Sequence, residues 1–172
     1  MSPTSNGMIE RTPDGGIVRF DRSLAFPVDE VWAAITEPAR LADWWPPFAA
    51  DITVDLREGG MIVFAWPDTD FPTLEFTIVR LQAPTLLEHT HTSPGSSMRY
   101  ELEATEDGTR LRATYSIPDL DLAIERGDVV GLHHSLDRLA PALSGSPLAW
   151  DNDAFLELQA AYAGLSPVTR QA

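Results

Sequence analysis

From residue 51 to residue 117 apolar and polar side chains alternate with a period of two, and turn-forming residues cut the run at short intervals. No other feature limits the fold as much, because a period of two is the signature of half-buried strands. The pattern predicts antiparallel strands at Ile52–Leu56, Met61–Trp66, Thr73–Leu81, Leu86–His91, Met98–Ala104 and Arg110–Ile117. The separators are Glu58-Gly59-Gly60, Pro67-Asp68-Thr69-Asp70, Ala83-Pro84, Ser93-Pro94-Gly95 and Glu106-Asp107-Gly108. Each carries turn chemistry, and Asp107-Gly108 is a strong hairpin signal. Loops this short imply one meandering sheet.

An earlier strand is expected over Ile17–Phe26, where Val18, Phe20, Leu24 and Phe26 alternate with polar residues and Arg22 interrupts the apolar set. Two short helices should follow. Pro27 suits a first helical turn and Asp29 and Glu30 favour its positive end, giving a helix over Val28–Thr36. Pro38 begins the second, and Pro46-Pro47 stops it. After the strands, Asp121–Ser144 reads as a long helix with Leu132, Leu136, Leu139 and Leu143 on one stripe and Gly145 beyond its end. Gly127 is a possible break, and Gly131 a point of close approach to the sheet. A last helix is expected over Asp153–Ala163. The division is a mobile tail over residues 1–15, one domain over 16–146, and an extension over 147–172 that packs on the same domain or on a second subunit.

Composition removes several functions. The net charge of −14 argues against nucleic acid and anionic membranes. All twelve basic residues are Arg, so lysine Schiff-base chemistry is excluded, and without Cys so are disulfides and thiolate chemistry. No apolar run approaches the ~20 residues of a membrane span, and the first sixteen residues lack the apolar stretch of a signal peptide. A soluble cytoplasmic protein, monomeric or homodimeric, is the expectation.

Several motifs occur in a telling order: Phe26-Pro27 before Val31-Trp32, Thr36-Glu37-Pro38, the double Trp44-Trp45, Arg57-Glu58-Gly59-Gly60, and Gly108-Thr109 opening the last strand. In this order they resemble the START-like (SRPBCC, helix-grip) superfamily, and within it the family named for the activator of the heat-shock protein 90 ATPase. The resemblance spans about residues 17–145. It implies an α+β helix-grip fold: a curved antiparallel sheet of six or seven strands wrapped around a long C-terminal helix, with an apolar ligand cavity between them. Two departures stand out. Gly131-Leu132 replaces the family's usual Gly-Trp, and His91 stands where Trp often ends the fifth strand. Both predict a roomier or more polar cavity.

His89 and His91 share a strand face with Leu87, so both imidazoles are expected to point inward. They could hydrogen-bond a ligand, act as general base, join a metal site or be satisfied core histidines. A metal would need a third ligand from Glu125, Asp128 or His133, and no spacing demands one. No metal or cofactor is therefore expected. Tyr100 and Tyr115 lie on the apolar parity of their strands and need hydroxyl partners if buried. His133 flanks the leucine stripe, and His134 lies opposite it, where solvent is expected. The candidate ligand-binding set is Trp45, Phe48, Phe64, Trp66, Phe76, Ile78, His89, His91, Tyr100, Tyr115, Asp128, Leu132 and Leu136. Within it His91, His89 and Tyr115 are the catalytic candidates.

The leading expectation is binding of a hydrophobic or aromatic small molecule, a lipid or polyketide among them. The alternative is an enzyme (cyclase, dehydratase or hydrolase) using the cavity His and Tyr residues. A co-chaperone-like role is the least expected, since only about sixteen residues precede the domain.

Overall fold

Turn residues divide the chain much as their chemistry requires, and the strands between them close into one sheet. A computed structural model describes residues 7–164. Its elements run β1 (Met8–Thr12), β2 (Gly15–Leu24), α1 (Val28–Thr36), α2 (Pro38–Leu41), β3 (Asp51–Val54), β4 (Met61–Ala65), β5 (Leu74–Gln82), β6 (Leu86–Thr90), β7 (Ser97–Thr105), β8 (Gly108–Ile117), α3 (Leu120–Glu125), α4 (Asp128–Leu143) and α5 (Asn152–Ala163). The eight strands form one antiparallel sheet ordered β1-β2-β8-β7-β6-β5-β4-β3. The inner face carries Val18, Phe20, Phe64, Phe76, Leu87, Tyr100 and Leu111, all buried with Leu136 and Leu139 of α4 in one core. This is the helix-grip arrangement.

Local chemistry accounts for the boundaries. Pro27 caps α1 in extended geometry, and Glu37 returns to extended backbone before Pro38. The Glu58-Gly59-Gly60 turn is pinned to the neighbouring strand, with the Gly59 N–H donating to the Ile78 carbonyl (2.8 Å) and the Ile78 N–H to the Gly60 carbonyl (2.8 Å). Thr105 pairs with Gly108, leaving Glu106-Asp107 as a two-residue hairpin loop.

Three expectations are corrected, and the break considered at Gly127 is present. Met8–Thr12 lies in the stretch expected to be a mobile tail, yet it pairs with β2 from Met8 opposite Arg19 to Thr12 opposite Gly15. Edge pairing uses backbone groups and leaves no apolar alternation to read. It also raises the strand number to eight; residues 1–6 of that stretch lie outside the described residues. The long helix is broken at Gly127, whose φ of 82° is left-handed and whose missing Cβ lets the Phe155 ring approach. Asp119, not Asp121, caps the first half by accepting from the Leu122 N–H (3.0 Å). His134 is buried rather than solvated, because the C-terminal extension covers it: its Nε2 accepts from the Asp151 N–H (3.1 Å), and Trp150 packs edge-on at 4.4 Å.

The interruption at Arg22 has a cause. Its guanidinium faces inward to Asp137 of α4 (3.1 Å) and lies over the Phe20 ring. Asp137 meets Nε2 of buried His133 (3.3 Å), and His133 Nδ1 lies 3.0 Å from the Tyr162 hydroxyl, which accepts from the Gly7 N–H (2.7 Å). This chain of contacts joins sheet, α4, α5 and the N-terminal segment. Replacing Tyr162 by Phe keeps the ring and removes the hydroxyl, leaving the buried Gly7 N–H without that acceptor. We expect a loss of about 1–3 kcal/mol, read as a lower urea midpoint with unchanged m-value.

Candidate functional site

Between α2 and β3 the chain passes under α4, and a buried guanidinium holds it there. Arg138 Nη1 donates to the carbonyls of Trp44 and Pro46 (both 2.9 Å), and its Nε donates to the carbonyl of Leu148 (2.9 Å). Ser135 Oγ donates to the Trp45 carbonyl between them (3.0 Å). Three consecutive carbonyls are thus tied to one helix. Burial lowers the Arg138 pKa from its usual value, and the carbonyls replace the water it has lost. Trp44 is fully buried, with its indole N–H donating to the Ala34 carbonyl (2.9 Å).

Trp45 is different. Its ring is half-buried and turns under the sheet, stacked on Phe76 (5.7 Å between centroids, 7° between planes) and tilted against Phe64 (5.1 Å) and His89 (5.4 Å). Tyr100 meets it edge-on at 6.3 Å. Among the described residues no hydrogen bond holds the Trp45 indole N–H, so ring contacts alone fix the side chain.

In front of Trp45 lies a cleft of about 250 Å³. The sheet side contributes Phe64, Trp66, Leu74 and His91; the helix side contributes Asp128, Gly131, Leu132 and Ser135. Gly131 does not touch the sheet as expected: a Cβ added there would meet nothing within 4 Å, so the missing side chain is cleft volume. Asp128 sits at the mouth and accepts from Ser93 Oγ (3.0 Å).

Behind Trp45 the inner face of β6, β7 and β8 holds polar atoms without partners. His89 Nε2 and the hydroxyls of Tyr100 and Tyr115 are buried with no hydrogen bond among the described residues. Each such atom costs about 1–3 kcal/mol. His89 Nδ1 lies 2.6 Å from the Thr90 carbonyl, which can only accept, so the proton is on Nδ1 and Nε2 is a bare acceptor. Burial pushes the His89 pKa down to about 4 against the opposing Thr90 bond, and burial with the neighbouring His89 brings His91 to about 3. His91 keeps an edge at the cleft while stacking on Phe76 (5.1 Å, 7°) and meeting Tyr115 at 4.8 Å. Burial raises the pKa of both tyrosines. The hydroxyls of Thr92, Ser93 and Ser96 soften the rise at Tyr115 without reaching hydrogen-bond geometry.

Of the residues expected at the site, Trp45, Phe64, Trp66, His91, Asp128 and Leu132 line the cleft. Phe76, His89, Tyr100 and Tyr115 lie in the ring cluster behind it. Ile78 and Leu136 are plain core. Phe48 is exposed, packing outside on Trp66 and Phe71. Glu125 is exposed at the end of α3, away from the cleft lining. Among the described residues no group of three or more His, Asp or Glu side chains is arranged to hold a metal ion. Sequence reasoning missed Trp150, Ser135 and the clamp at Arg138. Ser135 had a signal, since it stands four residues from Gly131 on one helix face. Trp150 had none, lying in the extension.

Comparison with known proteins agrees with this fold. Residues 25–144 match the model of the family described as Activator of Hsp90 ATPase homolog 1-like protein. None of the curated proteins matches the chain. Among solved structures, CalU16 from Micromonospora echinospora is similar at 27% identity and a TM-score of 0.66, covering 96% of this chain and 98% of that one. Protein NE0264 from Nitrosomonas europaea also has 27% identity, with a TM-score of 0.64, covering 75% and 94%. A conserved protein of unknown function, EF2215 from Enterococcus faecalis, shares the fold at 18% identity and a TM-score of 0.76, covering 92% and 89%. No described helix is long and apolar enough to cross a membrane. With a curved sheet gripping a central helix, and with the family model spanning most of its length, the chain belongs to the Activator of Hsp90 ATPase homolog 1-like family.

Proposed function

We propose that this protein binds a neutral, mostly apolar aromatic small molecule in the cleft between α4 and the sheet. The observation that carries this reading is an open cleft walled by aromatic rings and by a helical glycine that leaves room for a ligand. Few polar groups converge on it, which is the expected composition of a small-molecule site. Its imidazoles are neutral at pH 7 and Asp128 stands at the mouth, an arrangement that disfavours anionic ligands. The same low pKa values weaken the enzymatic reading, because a general base works best with a pKa near the operating pH.

Gly131 supplies a direct test. Gly131→Leu places a side chain in open space and replaces a poor helix former, a gain of up to about 1 kcal/mol in propensity. Naphthalene titrated against labelled protein should shift cleft resonances in the wild type. In the variant its affinity should fall by about tenfold or more with thermal stability kept. Equal affinity in both proteins would place the ligand elsewhere.

The neutral histidines also set a pH dependence of stability. The folded pKa of His89, about 4, lies below its ordinary 6.5, so between those values the unfolded chain binds a proton that the folded chain refuses. Stability is fully present above about pH 6.5 and falls as the pH drops toward 4, by up to about 1.4 kcal/mol per unit for this residue. His91, brought to about 3, contributes to the same decline. Urea titrations from pH 7 to 4 should show the decline, and His89→Phe should make it shallower. A slope unchanged by that substitution would show that His89 is readily protonated in the folded state.

A further inference from the structure

We infer that the Trp45 indole is a displaceable plug over an inner subsite, and that the subsite takes a flat, neutral, hydroxylated aromatic ring whose O–H donates to His89 Nε2. This rests on the cleft being a ligand site, as proposed above.

Three independent observations meet at this point. The first is the position of the indole. Trp45 is both a wall of the open cleft and the neighbour of Phe64, Phe76, His89 and Tyr100, so together with Phe64 and His91 it separates the cleft from the inner ring cluster. It is stacked nearly parallel to Phe76, and His91 lies parallel to the same ring. A planar guest would find the same aromatic surfaces that the indole now uses.

The second is how Trp45 is held. Its backbone is clamped by the hydrogen bonds of Ser135 and Arg138 to the carbonyls of residues 44 to 46. Its side chain makes no hydrogen bond among the described residues, whereas the adjacent Trp44 is tied through its indole N–H. Rotation about the Trp45 side-chain torsions therefore breaks ring contacts only and leaves the chain in place. A guest that restores those contacts compensates for the swing.

The third is what the plug leaves unsatisfied. His89 Nε2 is fully buried, has no partner among the described residues and can accept only. The hydroxyls of Tyr100 and Tyr115, equally buried and unpartnered, can each donate or accept. An indole or a plain hydrocarbon leaves all three unpaired. A phenolic O–H satisfies the acceptor, and a second oxygen could take a tyrosine proton. Sites built with such groups discriminate strongly against analogues lacking the matching hydroxyl. With neutral imidazoles inside, a carboxylate gains no counter-charge.

The test compares 2-naphthol, naphthalene and 2-naphthoate on the full chain at pH 7. Affinity is read by calorimetry, and the plug by the indole N–H resonance of Trp45, assigned from its loss in Trp45→Phe. We expect 2-naphthol to bind about tenfold or more tightly than naphthalene, with 2-naphthoate weakest. The Trp45 resonance should shift strongly on naphthol binding while that of Trp44 stays. His89→Phe should abolish the naphthol preference and keep naphthalene binding. Trp45→Ala should bind 2-naphthol more tightly than the wild type. Equal binding of naphthol and naphthalene with Trp45 unmoved would overturn the inner subsite and leave the cleft reading standing. Binding of 2-naphthol by Trp45→Ala alone would overturn the displaceable plug, because the indole would then be a fixed wall that closes the subsite to this guest. No binding to either protein would overturn both readings.

Discussion

A single buried guanidinium decides how the rest of this molecule is arranged. Arg138 projects from the middle of α4 and meets no carboxylate among the described residues; it is surrounded by the carbonyls of Trp44, Pro46 and Leu148. Burying an unpaired charge is costly unless its hydrogen bonds are replaced, so these segments must sit where the guanidinium needs them. The double-tryptophan segment, the central helix and the start of the C-terminal extension are thereby brought to one point. The Trp150 ring lies 5.9 Å from the same guanidinium carbon.

The consequence for the interior is a division between fixed and adjustable parts. The sheet, with its paired strands, and the backbone of residues 44 to 46 are fixed. The rings inside are held by contacts with shallow directional preference. His89 and the tyrosines among the inner polar groups are uncharged at pH 7, so what they present to their surroundings is hydrogen-bond direction more than charge. Asp128 at the mouth and the acidic surface add a field that favours neutral or cationic molecules on approach.

Much of the sheet was legible because turn chemistry and strand parity agree: Phe64 and Trp66, Phe76 and Ile78, Leu87 and His89, and Tyr100 and Tyr115 all lie buried on the face that alternation assigns. β1 was not legible, since an edge strand pairs through backbone atoms and its side chains carry little burial signal. Arg22 reads as an interruption in an apolar pattern and Arg138 gives no signal at all, and their partners are distant in sequence at Asp137, Trp44 and Pro46. Periodicity describes one element at a time and cannot express such pairs. The orientation of Trp45 was hidden for the same reason, because it lies in a connecting segment with no repeat. His134 was misjudged because the helical wheel has no knowledge of what another segment later covers.

The part played by Trp150 extends beyond packing. It borders the cleft, yet it lies after residue 144, where the family match ends. The rim of the cleft is therefore built from two sources: a sheet and helix whose register tolerates little change, and a trailing segment that meets them through Arg138, the hydrogen bonds of Tyr162 and Asp151, and a few rings. Segments of the second kind accept insertions and new side chains more readily than packed strands do. Side chains at the rim can therefore change while the open sheet beneath them keeps its geometry.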